Sequence, residues 1–188
     1  MSNSRVEMFN EMAASPKSKP DKVIEALGLK EGQSIADIGS GGGYFSLRFA
    51  EIVGLKGKVF AVDVNQSFLD FIKKSAEGKG LKNLSIVLSE KNKLGLPEKL
   101  LDLIFIRNAT HHISERAKYF RQLGNFLKSN GRIAVIEHKP RGLFSFHGLF
   151  GHSVKKKIIM QEMKQAGYSL EKEFDFLPEQ HFTVYSRK

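Results

Sequence analysis

Between positions 34 and 137 short apolar runs alternate with longer stretches whose apolar residues recur at helical spacing. The run at 34–38 (SIADI) reads as a strand, and Phe45, Phe49, Ile52 and Val53 then fall at i, i+4, i+7 and i+8 on one helical face. A second strand at 58–64 (KVFAVDV) leads to a helix marked by Phe68, Leu69, Ile72 and Ala76, which ends at the breakers Gly78 and Gly80. Strands follow at 84–88 and 100–106 (LLDLIFI). A helix with Ala117, Phe120, Leu123 and Leu127 on its inner face stops at Asn130-Gly131, and 132–137 (RIAVIE) is the fifth strand. Strands separated in this way by helices are joined by crossovers, so they lie parallel, and a parallel sheet needs helices on both faces.

The end of the chain behaves differently. After a helix over 153–166, with Val154, Ile158, Ile159, Met163 and Ala166 on one face, come β-like runs at 168–176 and 181–185. The link between them, Leu177-Pro178-Glu179-Gln180, is too short for a helical crossover and predicts an antiparallel hairpin. The expected architecture is α/β: a doubly wound, mostly parallel seven-stranded sheet, Rossmann-like, with a C-terminal antiparallel edge hairpin. A length of 188 residues suits a single core. Residues 1–20 read as an N-terminal arm with a short helix around 6–12, and 21–188 as one domain. Its first helix has Asp21 as N-cap, carries Val23, Ile24 and Leu27, and ends at Gly28.

Composition narrows the chemistry. The chain has no cysteine, which excludes a disulfide framework, a thiolate metal site, an iron–sulfur cluster and a cysteine nucleophile. His147 and His152 are five apart and match neither helical face spacing nor H-E-x-x-H, so no metal site is predicted. The longest nearly apolar run, 100–106, includes Asp102 and is far short of the roughly 20 residues of a membrane span. The polar start has no apolar segment of a secretory leader. A soluble, cytoplasmic protein is expected.

The strongest chemical signal is Ile35-Ala-Asp-Ile-Gly39-Ser-Gly41-Gly-Gly43-Tyr-Phe, where the first strand gives way to a helix. Glycines there admit positive φ and let a ligand reach the backbone, and the helix start offers unpaired N–H groups. Asp63, about 20 residues on, sits at the C-terminal end of the second strand, where a carboxylate accepts both hydroxyls of a ribose. A dinucleotide loop of the form G-x-G-x-x-G would need glycine at 44, where Tyr44 stands. The loop instead reads D-x-G-x-G-x-G. The carboxylate of Asp37 suits a cationic amino or sulfonium ligand and is unfavourable beside a pyrophosphate. A nicotinamide-dependent reductase is the alternative, disfavoured by Tyr44 and by the lack of a substrate domain. A non-catalytic adenosyl-cofactor-binding module is a further one.

The loop, the spaced Asp63 and the terminal hairpin together make the chain resemble the class I S-adenosylmethionine-dependent methyltransferases over nearly all of 21–188. It looks nearest to the small bacterial and archaeal members related to the ubiquinone/menaquinone-biosynthesis group. The resemblance implies S-adenosylmethionine as cofactor. It implies that Asp37 and the backbone at Gly39, Gly41 and Gly43 hold the methionine part, that Asp63 takes the ribose and that Val64 packs on the adenine. Ser89 and Glu90 would approach the adenine amine, with the choice between them open, and Asn108 would line the methyl-donor pocket. A histidine often stands in such enzymes where His111 stands.

Methyl transfer from a sulfonium is an in-line displacement that demands alignment and, for a protonated acceptor, a base. The base candidates lie after the fourth strand (Arg107-Asn-Ala-Thr-His111-His112) and after the fifth (Glu137-His138-Lys139), with His111 ranked first and His138 second. Packing at a helix entry is the competing role for these histidines, and a neutral amine acceptor needs no base. Residues 139–157 form a basic connection rich in phenylalanine, whose Leu143, Phe144, Phe146, Leu149 and Phe150 would wall an apolar acceptor pocket. Its cations would meet anionic head groups in a peripheral membrane contact. The net charge of +10 raises nonspecific affinity for nucleic acid. An Asn-Pro-Pro-Tyr base-gripping motif is missing, so specific nucleic-acid methylation is disfavoured. The expected activity is methyl transfer to a small-molecule, hydrophobic or lipid-like acceptor.

Overall fold

The computed structural model describes residues 2–90, 94–140 and 153–187. Helix α1 (Ser2–Ala14) and a 3-10 turn (Pro16–Ser18) precede α2 (Pro20–Leu27). Then follow β1 (Ser34–Ile38), α3 (Tyr44–Val53), β2 (Lys58–Asp63), α4 (Gln66–Gly78) and β3 (Leu84–Leu88). β4 (Leu101–Arg107) passes through a second 3-10 turn (Thr110–His112) to α5 (Arg116–Leu123), and β5 (Leu127–His138) follows. The chain ends with α6 (Lys156–Gln165), β6 (Tyr168–Phe174) and β7 (Gln180–Arg187).

The seven strands form one sheet in the order β3-β2-β1-β4-β5-β7-β6. The first five pair in parallel, while β7 runs antiparallel to both β5 and β6. The expected doubly wound sheet with an antiparallel edge hairpin is therefore what the chain adopts. Alternate residues of each central strand feed two cores. Ile35, Leu103, Phe105, Ala134 and Ile136 face Phe45 and Phe49 of α3, whereas Ala36, Ile104, Ile133 and Val135 face Phe120 of α5 and Ile159 and Met163 of α6. Burial on both faces explains why the strands read as continuous apolar runs. The strand order reverses between β1 and β4, and at such a switch point the diverging connections leave a crevice at the carboxyl edge of the sheet. The glycine loop opens there.

Several boundaries depart from expectation, each for a local reason. Helix α2 starts at Pro20 with Lys19 as N-cap, because proline at the first helical position needs no N–H partner; Asp21 lies in the first turn and its carboxylate accepts from Arg48. Helix α5 ends at Leu123, and Leu127 opens β5 because it pairs with Leu101 of β4. The Asn130-Gly131 pair lies inside that long strand. A Cβ at Gly131 would come 2.7 Å from the Leu101 carbonyl oxygen, so close strand approach, and not a helix stop, is what this glycine serves. Helix α6 starts only at Lys156, and Ile158 is 41% exposed, off the buried stripe of Ile159 and Met163. Val64 falls outside β2, and the hairpin strands sit at Tyr168–Phe174 and Gln180–Arg187. No helix among the described residues is long and apolar enough to cross a membrane.

Candidate functional site

The glycine loop turns tightly between β1 and α3. Gly39, Gly41 and Gly43 have φ of 74°, 53° and 80°, a region that side chains with a Cβ rarely enter. A Cβ on Gly39 would lie 2.6 Å from the Cβ of Ala109, and one on Gly43 would lie 2.5 Å from Ile72. The first contact brings the segment after β4 directly against the loop. Helix α1 covers the other side: Phe9 packs on Gly41, and the Asn10 carboxamide and the Val6 carbonyl occupy the space a Cβ on Gly42 would need. Phe9 also meets Phe68 of α4 edge to face. The helix is held by the Ser18 hydroxyl, which donates to the Met12 carbonyl and accepts from the Arg107 guanidinium.

Three ionisable side chains from neighbouring strand ends converge on the loop. The Asp63 carboxylate accepts from the Gly41 N–H at 2.9 Å and from the Asn65 N–H at 3.0 Å, so both oxygens have a fixed orientation. Asp37 is buried and accepts from the Ser46 hydroxyl of α3 at 2.5 Å. Burial pushes its carboxyl up to about 6, with the Asp63 charge adding to the rise while the Ser46 hydroxyl and the Arg107 charge oppose it. Arg107 sits over the Phe45 ring, and burial lowers it to about 10 against the pull of Asp37 and Glu137. A buried carboxylate whose pKa is raised by burial favours a cation beside it.

A second polar group gathers at the ends of β4, β5 and β7. Glu137 is fully buried. Its carboxylate accepts from the Thr110 hydroxyl and from the His138 N–H at 3.0 Å, and its two oxygens lie 3.2 and 3.3 Å from Nδ1 of His111. Burial alone would raise this carboxyl, but the bonds from His111 and Thr110 outweigh it and hold it below its ordinary value. Asn108 has a left-handed backbone (φ 51°), which asparagine tolerates, and its side-chain oxygen accepts from Gln180 at 2.7 Å. In the antiparallel register Gln180 lies opposite His138, and the buried His181 opposite Glu137. His181 is set by a contact of 3.0 Å between Nε2 and the Val154 carbonyl, and burial lowers its pKa.

The candidates from the sequence thus fall into two groups. Asp37, Gly39, Gly41, Gly43 and Asp63 are brought together at the loop. Val64 is 77% exposed beside it, and Leu88, at the end of β3, is 49% exposed. Ser89 is tied to Asp63 through its N–H and the Asp63 carbonyl, and the exposed Glu90 follows it. Asn108, His111 and His138 belong to the second group. His147, His152 and Leu143 to Phe150 lie outside the described residues. Ser46, Gln180 and His181 were not among the sequence candidates, and Arg107 and Thr110 fell within the segment named for the base but had no role of their own there. Gln180 and His181 had a topological signal: an antiparallel strand beside the fifth must begin at the edge where the parallel strands end. No metal-binding cluster of His, Asp and Glu occurs among the described residues.

A family model described as a methyltransferase domain matches residues 29–176. The chain belongs to that family. The methyltransferase domain is also 30% identical over 134 residues to the ubiquinone/menaquinone biosynthesis C-methyltransferase UbiE of Yersinia pestis, covering 66% of this chain and 53% of the relative. The match therefore spans about half the length of these curated relatives. Among solved structures, an S-adenosylmethionine-dependent methyltransferase from Aquifex aeolicus superposes with a TM-score of 0.84 at 24% identity, over 97% of this chain and 96% of that one. Geranyl diphosphate C-methyltransferase from Streptomyces coelicolor A3(2) shares the fold at a TM-score of 0.74 and 12% identity, over 91% and 80% of the two chains. The fold is that of the class I S-adenosylmethionine-dependent methyltransferases, and S-adenosylmethionine is the cofactor such a domain takes. The chemistry beside the loop fits this group: the buried Asp37 and the oriented Asp63 offer two carboxylates to a cationic ligand with a ribose, and Val64 offers an exposed apolar face.

Proposed function

We propose that this domain transfers the methyl group of S-adenosylmethionine to a small apolar or lipid-like acceptor. The observation that carries the reading is the glycine loop itself, in the left-handed region at three positions and set between the buried Asp37 and the oriented Asp63. In this reading Asp37 and the backbone at Gly39, Gly41 and Gly43 hold the methionine part, and the cation offsets the cost of ionising Asp37. Asp63 takes the ribose hydroxyls, and Val64 lies under the adenine with Ser89 and Glu90 near its amine. Asn108 lines the methyl-donor pocket. His111 is the first candidate for the base and His138 the second. The bound cofactor supplies an electrophilic methyl group; the protein's own task is to align the acceptor, exclude water and take up a proton where one leaves.

The apolar character of the acceptor is supported by Phe9 of α1, which packs on Gly41 and stays 36% exposed. It is also supported by relatives whose names place them in ubiquinone/menaquinone biosynthesis or on geranyl diphosphate. Peripheral contact with an anionic surface through 139–157 is part of the same proposal. Of the described cations there, Lys139 bonds the carbonyls of Leu177 and Pro178 and Lys156 pairs with Glu173, while Lys155 and Lys157 are exposed. The test is the release of S-adenosylhomocysteine with a panel of prenylated quinols, fatty acids, phenols and polar amines. Turnover with the apolar members supports the reading; turnover confined to the polar amines contradicts it.

A further inference from the structure

We propose that Arg107 binds the α-carboxylate of the cofactor's methionine part, and so makes the site prefer ligands with a complete amino-acid head over ligands that carry the cation alone. The inference rests on the methyltransferase reading above and adds to it a partner for the one anionic group of the cofactor.

Arg107 has more donors than partners. A guanidinium carries five N–H donors in a fixed fork and no acceptor. In the half-buried Arg107, Nη2 donates to the Ser18 hydroxyl at 2.9 Å and the planar group lies over the Phe45 ring. No carboxylate pairs with it among the described residues. Two carboxylates act on its charge without touching it, Asp37 and Glu137. Both bond elsewhere, Asp37 with the Ser46 hydroxyl and Glu137 with the Thr110 hydroxyl and the His138 N–H. Drawing a guanidinium out of water without a paired anion is costly, and the anion that matches its fork is a carboxylate held by two parallel N–H bonds.

Its place is beside the glycine loop. Leu103 and Phe105 of β4 pack into the core under α3, and Arg107 continues that face; on β1 Ile35 does the same and Asp37 follows it. The β1–β4 ladder ends with Ile38 opposite Ile106, so Arg107 is the next residue on β4 as Gly39 is the next on β1. Ala109, two residues further, has its Cβ against Gly39. Asp37 lies opposite Phe105, which sets its Cα about 8 Å from that of Arg107 on the same face of the sheet. A methionine head is a zwitterion. Its ammonium suits Asp37 and its carboxylate suits Arg107, so charges of opposite sign alternate along the crevice. A ligand without the carboxylate brings its ammonium and sulfonium towards Arg107 with only Asp37 to offset the repulsion.

The test compares three ligands by isothermal titration of the intact chain at pH 7.5. They are S-adenosylmethionine, its decarboxylated form, which keeps the sulfonium and the amine, and 5′-methylthioadenosine, which lacks the whole amino-acid head. The native chain is expected to bind S-adenosylmethionine about 10-fold or more tightly than the decarboxylated form. In Arg107→Met this preference should disappear, while 5′-methylthioadenosine binds as it does to the native chain and so reports an intact adenosine side. Arg107→Lys, which keeps the charge but not the fork, should lower the preference without abolishing it. Ser18→Ala, which removes only the hydroxyl that Arg107 donates to, should retain it in full. Equal native affinities for the first two ligands overturn the inference, as does a preference that survives unchanged in Arg107→Met or Arg107→Lys, since Arg107 then serves another anion. Loss of the preference in Ser18→Ala also overturns it, because the effect then lies in the seating of α1. Absence of binding of all three ligands to the native chain is the separate result that withdraws the methyltransferase reading, and this inference with it.

Discussion

At Asp37 stability and the proposed cofactor binding pull in opposite directions. Its carboxyl is pushed from 3.8 to about 6 by burial, and at roughly 1.4 kcal/mol per pH unit this costs the ionised fold about 3 kcal/mol. Because the folded-state pKa lies above the unfolded one, the relative stabilisation is complete in the protonated state below 3.8 and is lost as pH rises through 6. Asp37→Asn, which keeps an acceptor for Ser46, should therefore raise unfolding stability by about 1–3 kcal/mol at pH 7.5, with the gain vanishing near pH 4. Denaturant titration of the two proteins at both pH values checks this; equal stability at pH 7.5 contradicts it. The same substitution should weaken cofactor binding, and binding to the native chain should weaken below pH 6. Asp63 differs in kind, since its oxygens already accept two backbone N–H groups. Asp63→Ala should lose about 1–3 kcal/mol of cofactor affinity, the usual cost of unmatched charged hydrogen-bond partners. Unchanged affinity in calorimetry would remove the ribose role from this residue.

The glycine loop joins β1 to α3 and packs against α4 through Gly43. At Gly43 a methyl group would meet Ile72 of α4 at 2.5 Å with φ at 80°. Gly43→Ala should cost about 2–4 kcal/mol from left-handed strain and overpacking together, read as a lower urea midpoint at unchanged slope. A loss under 0.5 kcal/mol would mean that the loop yields easily and the cradle is not rigid. This element was legible because its requirements are local: strand, glycines and helix follow one another in the chain, and Asp63 sits at a fixed distance along it. The polar group at the far end of the crevice was legible only in part. His111 and Glu137 stand out as residues at strand ends, but their contact joins positions 26 apart, and nothing local in the sequence encodes it. Arg107 reaching Ser18 across 89 residues, and α1 lying on the loop, were hidden for the same reason. The period of α5 misled at Leu127, because pairing with β4 overrides a helical pattern that continues past the helix end.

Across the whole molecule, the reversal of strand order between β1 and β4 places the loop, the two aspartates and the histidine–glutamate pair along one edge of one sheet. The antiparallel β7 completes that edge by beginning where β5 ends. In the proposed reading this crevice differs from a dinucleotide site in one respect: it takes a cationic sulfonium ligand beside the Asp37 carboxylate, where a pyrophosphate would be repelled. The measurement that addresses this most directly is parallel isothermal titration of the purified chain at pH 7.5 with S-adenosylmethionine, S-adenosylhomocysteine and NADH. The account predicts micromolar binding of both sulfur ligands and none of NADH, with S-adenosylmethionine losing affinity at pH 5. Binding of NADH, or no binding of either sulfur ligand, would contradict it.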